Sequence, residues 1–215
     1  MPTEVKICGL KTPATLTAAL DGGANYVGLV FYRPSPRHVD IETAAGLAAQ
    51  ARGRAKVVAL IVDATDAEIE RIARLVRPDF FQAHGREDAE RVRSIASATG
   101  IPVIKAVKVA SEADVATARS YDRAAALVLF DAKAADGREA LPGGNGVPFD
   151  WRLIRRGGAP LAFMLSGGLT PENVAEAIAQ TGAPIVDVSS GVESAPGIKD
   201  PRRILNFIEA ARAPR

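Results

Sequence analysis

Cysteine is almost absent from this chain. Cys8 stands alone among 215 residues, so no internal disulfide can form. A lone thiol is compatible with a reducing compartment. Histidine is nearly as scarce. Only His38 and His84 occur, and neither sits in a cluster of Cys or carboxylate residues at metal-ligand spacing, so no resident metal is expected. Neither sign of charge dominates, because 27 basic and 25 acidic side chains leave a net charge of +2. No basic run with interleaved aromatics appears, which argues against a nucleic-acid partner. No stretch approaches the roughly 20 apolar residues needed to span a bilayer. The opening MPTEVKICGL lacks the apolar core of a secretory signal. A cytoplasmic location is therefore expected, without a membrane partner. No linker, low-complexity segment or composition shift divides the chain, so residues 1–215 are expected to form one domain.

What the chain does contain is an alternation. Hydrophobic residues make up 47% and are gathered into eight short runs separated by longer amphipathic stretches. The runs are EVKIC ending at Cys8, NYVGLVF (25–31), KVVALIV (56–62), DFFQAH (79–84), PVIKAV (102–107), AALVLF (125–130), PLAFMLS (160–166) and PIVDVSS (184–190). Each is short and rich in Val, Ile or Phe, as expected of strands buried on both faces. Helices are predicted between them, over residues 15–20, 41–51 behind Asp40, 67–76 behind Thr65 and Asp66, 86–98, 111–120, 149–156, from Thr170-Pro171-Glu172, and from Asp200-Pro201. Eight βα units in 215 residues point to an α/β fold, a single (β/α)8 TIM barrel; a doubly wound open sheet is the alternative. The longest irregular stretch, 131–148, is of the length that usually serves function.

Barrel active sites form at the carboxyl ends of the strands. That rule selects Cys8 after the first run, Arg33 and Arg37 after the second, His84 after the fourth and Asp131 after the sixth. It also selects Gly167 and Gly168 after the seventh, and Ser190 and Gly191 after the eighth. The two glycine-bearing loops stand where this fold usually binds phosphate, since glycine lets backbone N–H groups approach an anion closely. Read blandly, they are tight turns. Cys8 can be a small buried hydrophobe or a reactive thiol. Lys6, two residues earlier, should share its face and favour a thiolate, unless it is a partnered interior lysine. Asp131 can be a cap, an ion-pair member or a catalytic carboxyl, and His84 a ligand, a base or a positioning group. Arg33 reads as a solvated surface residue.

Taken together, KICGL, GLVFYRPSPRHV, Gln82-Ala83-His84-Gly85, GGNG leading to FDW, LSGGLTPENV and VDVSSGVESAPGIKD resemble the phosphoribosylanthranilate isomerase family, in order and over essentially the whole chain. The resemblance implies an Amadori rearrangement of N-(5-phosphoribosyl)anthranilate in tryptophan biosynthesis. It implies a phosphosugar as the small-molecule partner and no cofactor. It assigns Cys8 as general base, Asp131 as general acid, Arg37 to the anthranilate carboxylate, His84 to the substrate side of the site, and Gly167, Gly168, Ser190 and Gly191 to the phosphate. Whether the chain acts as monomer or homodimer is left open. Two departures stand out. Asn145 and Val147 replace a small hydroxyl residue and a lysine of the family's loop, so any contact from that lysine is absent, and Ala83 replaces a leucine. Two rival readings remain: another phosphosugar isomerase or epimerase, and a noncatalytic phosphosugar-binding barrel.

Overall fold

The computed structural model describes residues 2–133, 150–159 and 162–213. Eight parallel strands close into a barrel: β1 (Glu4–Cys8), β2 (Tyr26–Phe31), β3 (Lys56–Ile61), β4 (Phe80–Ala83), β5 (Val103–Val109), β6 (Leu127–Ala132), β7 (Phe163–Leu165) and β8 (Ile185–Val188). Each pairs with the next, and β8 pairs back onto β1 with Lys6 opposite Asp187. The closed barrel removes the open-sheet alternative. A short antiparallel hairpin, β9 (Glu193–Ala195) and β10 (Ile198–Lys199), follows β8.

The outer ring comprises α1 (Pro13–Asp21), α2 (Ile41–Ala51), α3 (Asp66–Leu75), α4 (Ala89–Thr99), α5 (Glu112–Ala116), α6 (Arg152–Arg156), α7 (Val174–Thr181) and α8 (Pro201–Arg212). Their starts follow capping chemistry. Asp40 accepts from Thr43 N at 2.8 Å, which sets the first turn of α2 where the sequence placed it. Thr65 and Glu68 form a reciprocal capping box at α3, and Ser111 and Asp114 form one at α5. Several boundaries differ from expectation: the first helix spans Pro13–Asp21 rather than 15–20, and the sixth begins at Arg152 rather than residue 149. The fourth helix begins at Ala89 rather than residue 86, because Asp88 caps it and residues 85–87 are held in the loop. The fifth segment tightens into a 3-10 turn at Thr117–Tyr121. The seventh helix does not open at Pro171. Asn173 closes a turn by accepting from Thr170 N and donating to Gly168 O, both near 2.9 Å, and α7 starts only after it.

Most of the hydrophobic packing lies in two layers. The larger fills the space between strands and helices and includes Ile7, Leu29, Phe81, Phe130 and Phe207. The smaller fills the barrel itself with Val58, Ile104, Ala106, Leu129, Met164 and Ile185. Above this plug, toward the carboxyl ends of the strands, polar side chains join a small apolar cluster of Cys8, Val30 and Leu60. The loop expectation at Gly143, Gly144, Asn145, Gly146 and Val147 falls outside the described residues.

Candidate active site

Inward positions alternate along each strand, and the last inward layer forms the floor of a cleft at the barrel mouth. Cys8, Arg37, His84 and Asp131 all line this cleft, with Gln82, Ser166, Asp187 and Ser189. Arg33 does not line it and is exposed. Gly167, Gly168, Ser190 and Gly191 do not line it either. They lie one or two residues beyond Ser166 and Ser189, in adjacent loops. Those loops are pressed together, since a side chain at Gly191 would run into the carbonyl of Leu169.

The thiol owes its room to Gly28. Cys8 pairs in register with Gly28, and a Cβ there would lie 2.7 Å from the sulfur. Burial pushes the Cys8 thiol above its ordinary range, since a thiolate loses hydration there. Lys6 and Lys199 pull it down and Asp187 pushes it up, but burial prevails. The Lys6 ammonium is fully buried and bonded to Asp187 Oδ1 at 2.8 Å. Burial opposes its charge, yet Asp187 and Cys8 beside it leave Lys6 above its usual value. Lys6 is thus a partnered interior lysine that still favours the thiolate, although burial outweighs its pull. Ser166 Oγ donates to Asp187 Oδ2 at 3.3 Å.

Asp131 faces the cleft from the other side. It was expected where the strand ends, but β6 runs one residue further, to Ala132 opposite Val109. Ala132 N donates to its Oδ1 at 3.0 Å, and His84 Nε2 lies 3.1 Å from its Oδ2. Gln82 Nε2 lies 3.0 Å from His84 Nδ1. The loop carrying His84 is fastened by Glu87. That carboxylate accepts from Asp63 N and Gly85 N at 2.8 Å and from buried Lys105 at 3.0 Å.

Arg37 is buried and makes a two-toothed contact with Glu193, from Nε and Nη2, both at 2.8 Å. Lys199 donates to the same carboxylate at 2.7 Å and to Ser189 O at 2.9 Å. Burial opposes the charge on Glu193, but Arg37 and Lys199 outweigh it and hold the carboxyl below its usual range. Burial keeps Lys199 below its own, despite Glu193. Ser189 Oγ in turn donates to the Cys8 carbonyl at 3.2 Å.

Sequence reasoning gave no role to Gln82, Asp187, Glu193 or Lys199. The first two had a usable signal: each sits two residues before a mouth residue, His84 or Ser189, so the strand period of two turns it inward. Glu193 and Lys199 had none, because the hairpin that presents them is too short to show a pattern. Among the described residues no group of three or more His, Cys, Asp or Glu could hold a metal ion. No helix among them is long and apolar enough to cross a membrane.

Comparison with known proteins agrees with this geometry. The family described as N-(5'phosphoribosyl)anthranilate (PRA) isomerase matches residues 5–210. The N-(5'-phosphoribosyl)anthranilate isomerase of Rhodopseudomonas palustris (strain BisA53) is 55% identical over 213 residues, 99% of this chain and 97% of the relative. The crystal structure of phosphoribosyl anthranilate isomerase from Thermotoga maritima superposes with a TM-score of 0.84 at 36% identity, covering 97% of this chain and 98% of that one. A second structure of such an isomerase, in complex with reduced 1-(o-carboxyphenylamino)-1-deoxyribulose 5-phosphate, gives 0.83 at the same identity and coverage. A family match over nearly the whole length, a curated relative sharing more than half its residues and a closed barrel of the same architecture lead to one assignment: this chain belongs to the N-(5'-phosphoribosyl)anthranilate isomerase family.

Proposed function

We propose that this chain isomerises N-(5'-phosphoribosyl)anthranilate to 1-(2-carboxyphenylamino)-1-deoxyribulose 5-phosphate, the isomerase step of tryptophan biosynthesis, with Asp131 as general acid and Cys8 as general base. The observation that carries it is the placing of both groups on one buried cleft in a chain of this family. The solved relative holding a reduced product supports the choice of ligand.

The chemistry asks for two proton transfers. As the anthranilate nitrogen pushes its lone pair toward C1, the C1–O4 bond breaks and O4 takes a proton from Asp131. The resulting Schiff base loses its C2 proton to the Cys8 thiolate, giving an enolamine. Ketonisation adds a proton at C1 and releases one from the C2 hydroxyl, so none is gained or lost overall. Only protons move, and no redox or group-transfer reagent enters the balance. In ring order β6, β7, β8 and β1 are neighbours. A phosphate held by the loops at Gly167, Gly168, Ser190 and Gly191 would set the sugar between acid and base. Arg37, held by Glu193, would meet the anthranilate carboxylate. His84 would act through Asp131. We propose further that residues 1–215 form one domain working in the cytoplasm.

The test is direct. Purified protein is mixed with phosphoribosylanthranilate and loss of the anthranilate-type fluorescence is followed. Cys8→Ala and Asp131→Asn are each expected to lower kcat by about 10²-fold or more, the scale of one lost proton-transfer group. Folded variants that keep near-normal kcat would overturn the assignment of roles. An inactive wild-type protein that still binds a phosphosugar would favour the noncatalytic reading.

A further inference from the structure

Gln82 is the residue in this cleft whose chemistry is incomplete. Its side chain is fully buried, yet its Oε1 has no hydrogen-bond partner among the described residues. Its Nε2 lies 3.0 Å from His84 Nδ1. An amide nitrogen only donates, so Nδ1 accepts and the neutral ring carries its hydrogen on Nε2. That N–H then points at Asp131 Oδ2, 3.1 Å away, while Ala132 N–H points at Oδ1. Both oxygens of Asp131 therefore receive hydrogens, the arrangement of a carboxylate without its proton. An acid that must hand a proton to the substrate needs a second arrangement, in which the His84–Asp131 pair holds one proton more.

A half-turn of the Gln82 amide supplies it. With Oε1 toward the ring, Nδ1–H has an acceptor and the buried oxygen a donor, while the amide NH2 takes the position in which the oxygen had no partner. Nε2 can then carry a hydrogen shared with Asp131, or leave that hydrogen on the carboxyl and accept from it. With Nε2 toward the ring, an added hydrogen on Nδ1 would meet an N–H head-on. We propose that Gln82 is a positioning residue whose amide orientation selects between an unloaded and a proton-loaded His84–Asp131 pair, so that the acid proton is present only when the amide oxygen faces the imidazole. This rests on the reading of Asp131 as the acid. The charged and titratable groups around the pair include Cys8 of β1, Arg37 beyond β2, Asp187 of β8 with its bound Lys6, Lys108, the register neighbour of Asp131 on β5, and, on the other side of His84, Asp63, Arg86 and Lys105 with its partner Glu87.

The experiment combines nitrogen-15 NMR of the His84 ring with kinetics, using the full chain. In the wild-type protein free of ligand, Nε2 should carry the hydrogen and Nδ1 should show an acceptor's shift. As pH falls through the first protonation of the pair, Nδ1 should gain its hydrogen while the Gln82 amide nitrogen shift moves with it. Gln82→Met, close in volume and without a donor or acceptor, should keep the Nε2–H tautomer that Asp131 selects but deprive an added Nδ1–H of its acceptor, so that Nδ1 gains its hydrogen only at lower pH than in the wild-type protein. It should also lower kcat about tenfold or more with KM little changed. Gln82→Glu, which presents only oxygen to the ring, should hold Nδ1–H at every pH where the neutral-ring tautomer was seen before. A Gln82→Met protein that melts like wild type but keeps its kcat and gains Nδ1–H at the wild-type pH overturns the proposal. So does a wild-type ring with Nδ1–H throughout, a result that needs no variant to fold. If wild-type protein lacks isomerase activity, the functional reading fails, while the tautomer measurements still decide the role of Gln82.

Discussion

Asp187→Asn separates the two forces that act on the Cys8 thiol. The substitution keeps the shape of the side chain but removes the charge that holds Lys6, 2.8 Å away and fully buried. At an effective dielectric constant near 20, the gross attraction at that distance is about 6 kcal/mol. Desolvation of both groups offsets part of it, and leaving the ammonium without its anion is expected to cost about 3–5 kcal/mol. In a chain of this size that lowers Tm by about 6–20 °C. The effect on the thiol has the opposite sense. Asp187 opposes the thiolate and Lys6 favours it, so freeing Lys6 should let Cys8 ionise at lower pH than in the parent protein. Because Cys8 is the single cysteine, carbon-13 NMR of labelled cysteine reports this titration with no other signal present. The alkaline rise of kcat/KM should move to lower pH by the same amount. Lys6→Met is the counterpart and should move the titration upward. An Asp187→Asn thiol that titrates at or above the parent value would refute the account of what sets the state of Cys8.

Three further outcomes follow from the same geometry. A thiol raised in the folded state holds its proton while the unfolded chain releases it near pH 8.5, so stability should fall as pH rises from there toward the folded value, by up to about 1.4 kcal/mol per pH unit; urea unfolding at stepped pH should show this slope, and Cys8→Ser should lose that share of it. Gly28→Ala places a methyl 2.7 Å from the sulfur and should cost about 1–3 kcal/mol in stability together with a loss of kcat, read by melting and by turnover. Glu193→Gln weakens the two-toothed hold on Arg37 and should raise KM about tenfold with a smaller change in kcat, whereas an unchanged KM would remove Arg37 from the substrate's carboxylate.

The eight strands were legible because both faces are buried, so each reads as a short, largely apolar run. Helix starts were legible where one side chain fixes them, as Asp40 does for α2. They were misread where the signal was ambiguous, as at Pro171, where a turn closed by Asn173 uses the same residues that would open a helix. The mouth residues Cys8, His84 and Asp131 followed from strand ends alone. Their supports did not. Asp187 meets Lys6 only because β8 closes onto β1, a pairing that local pattern does not contain. Glu193 and Lys199 reach Arg37 from a hairpin with five strand residues, with too little periodicity to announce itself.

The Lys6–Asp187 contact spans 181 positions of sequence. A ribosome delivers Lys6 181 residues before its anion. Until then β1 carries an interior ammonium with nothing to neutralise it, which disfavours its burial in any partial barrel. The seam between first and last strands is thus an electrostatic check on completeness: a nascent chain that stops before β8 has neither a closed ring nor a settled charge beneath the thiol. Pulse-labelled chains truncated before and after residue 187 should differ sharply in protease resistance of the β1 segment, and the incomplete ones are the natural prey of quality-control proteases.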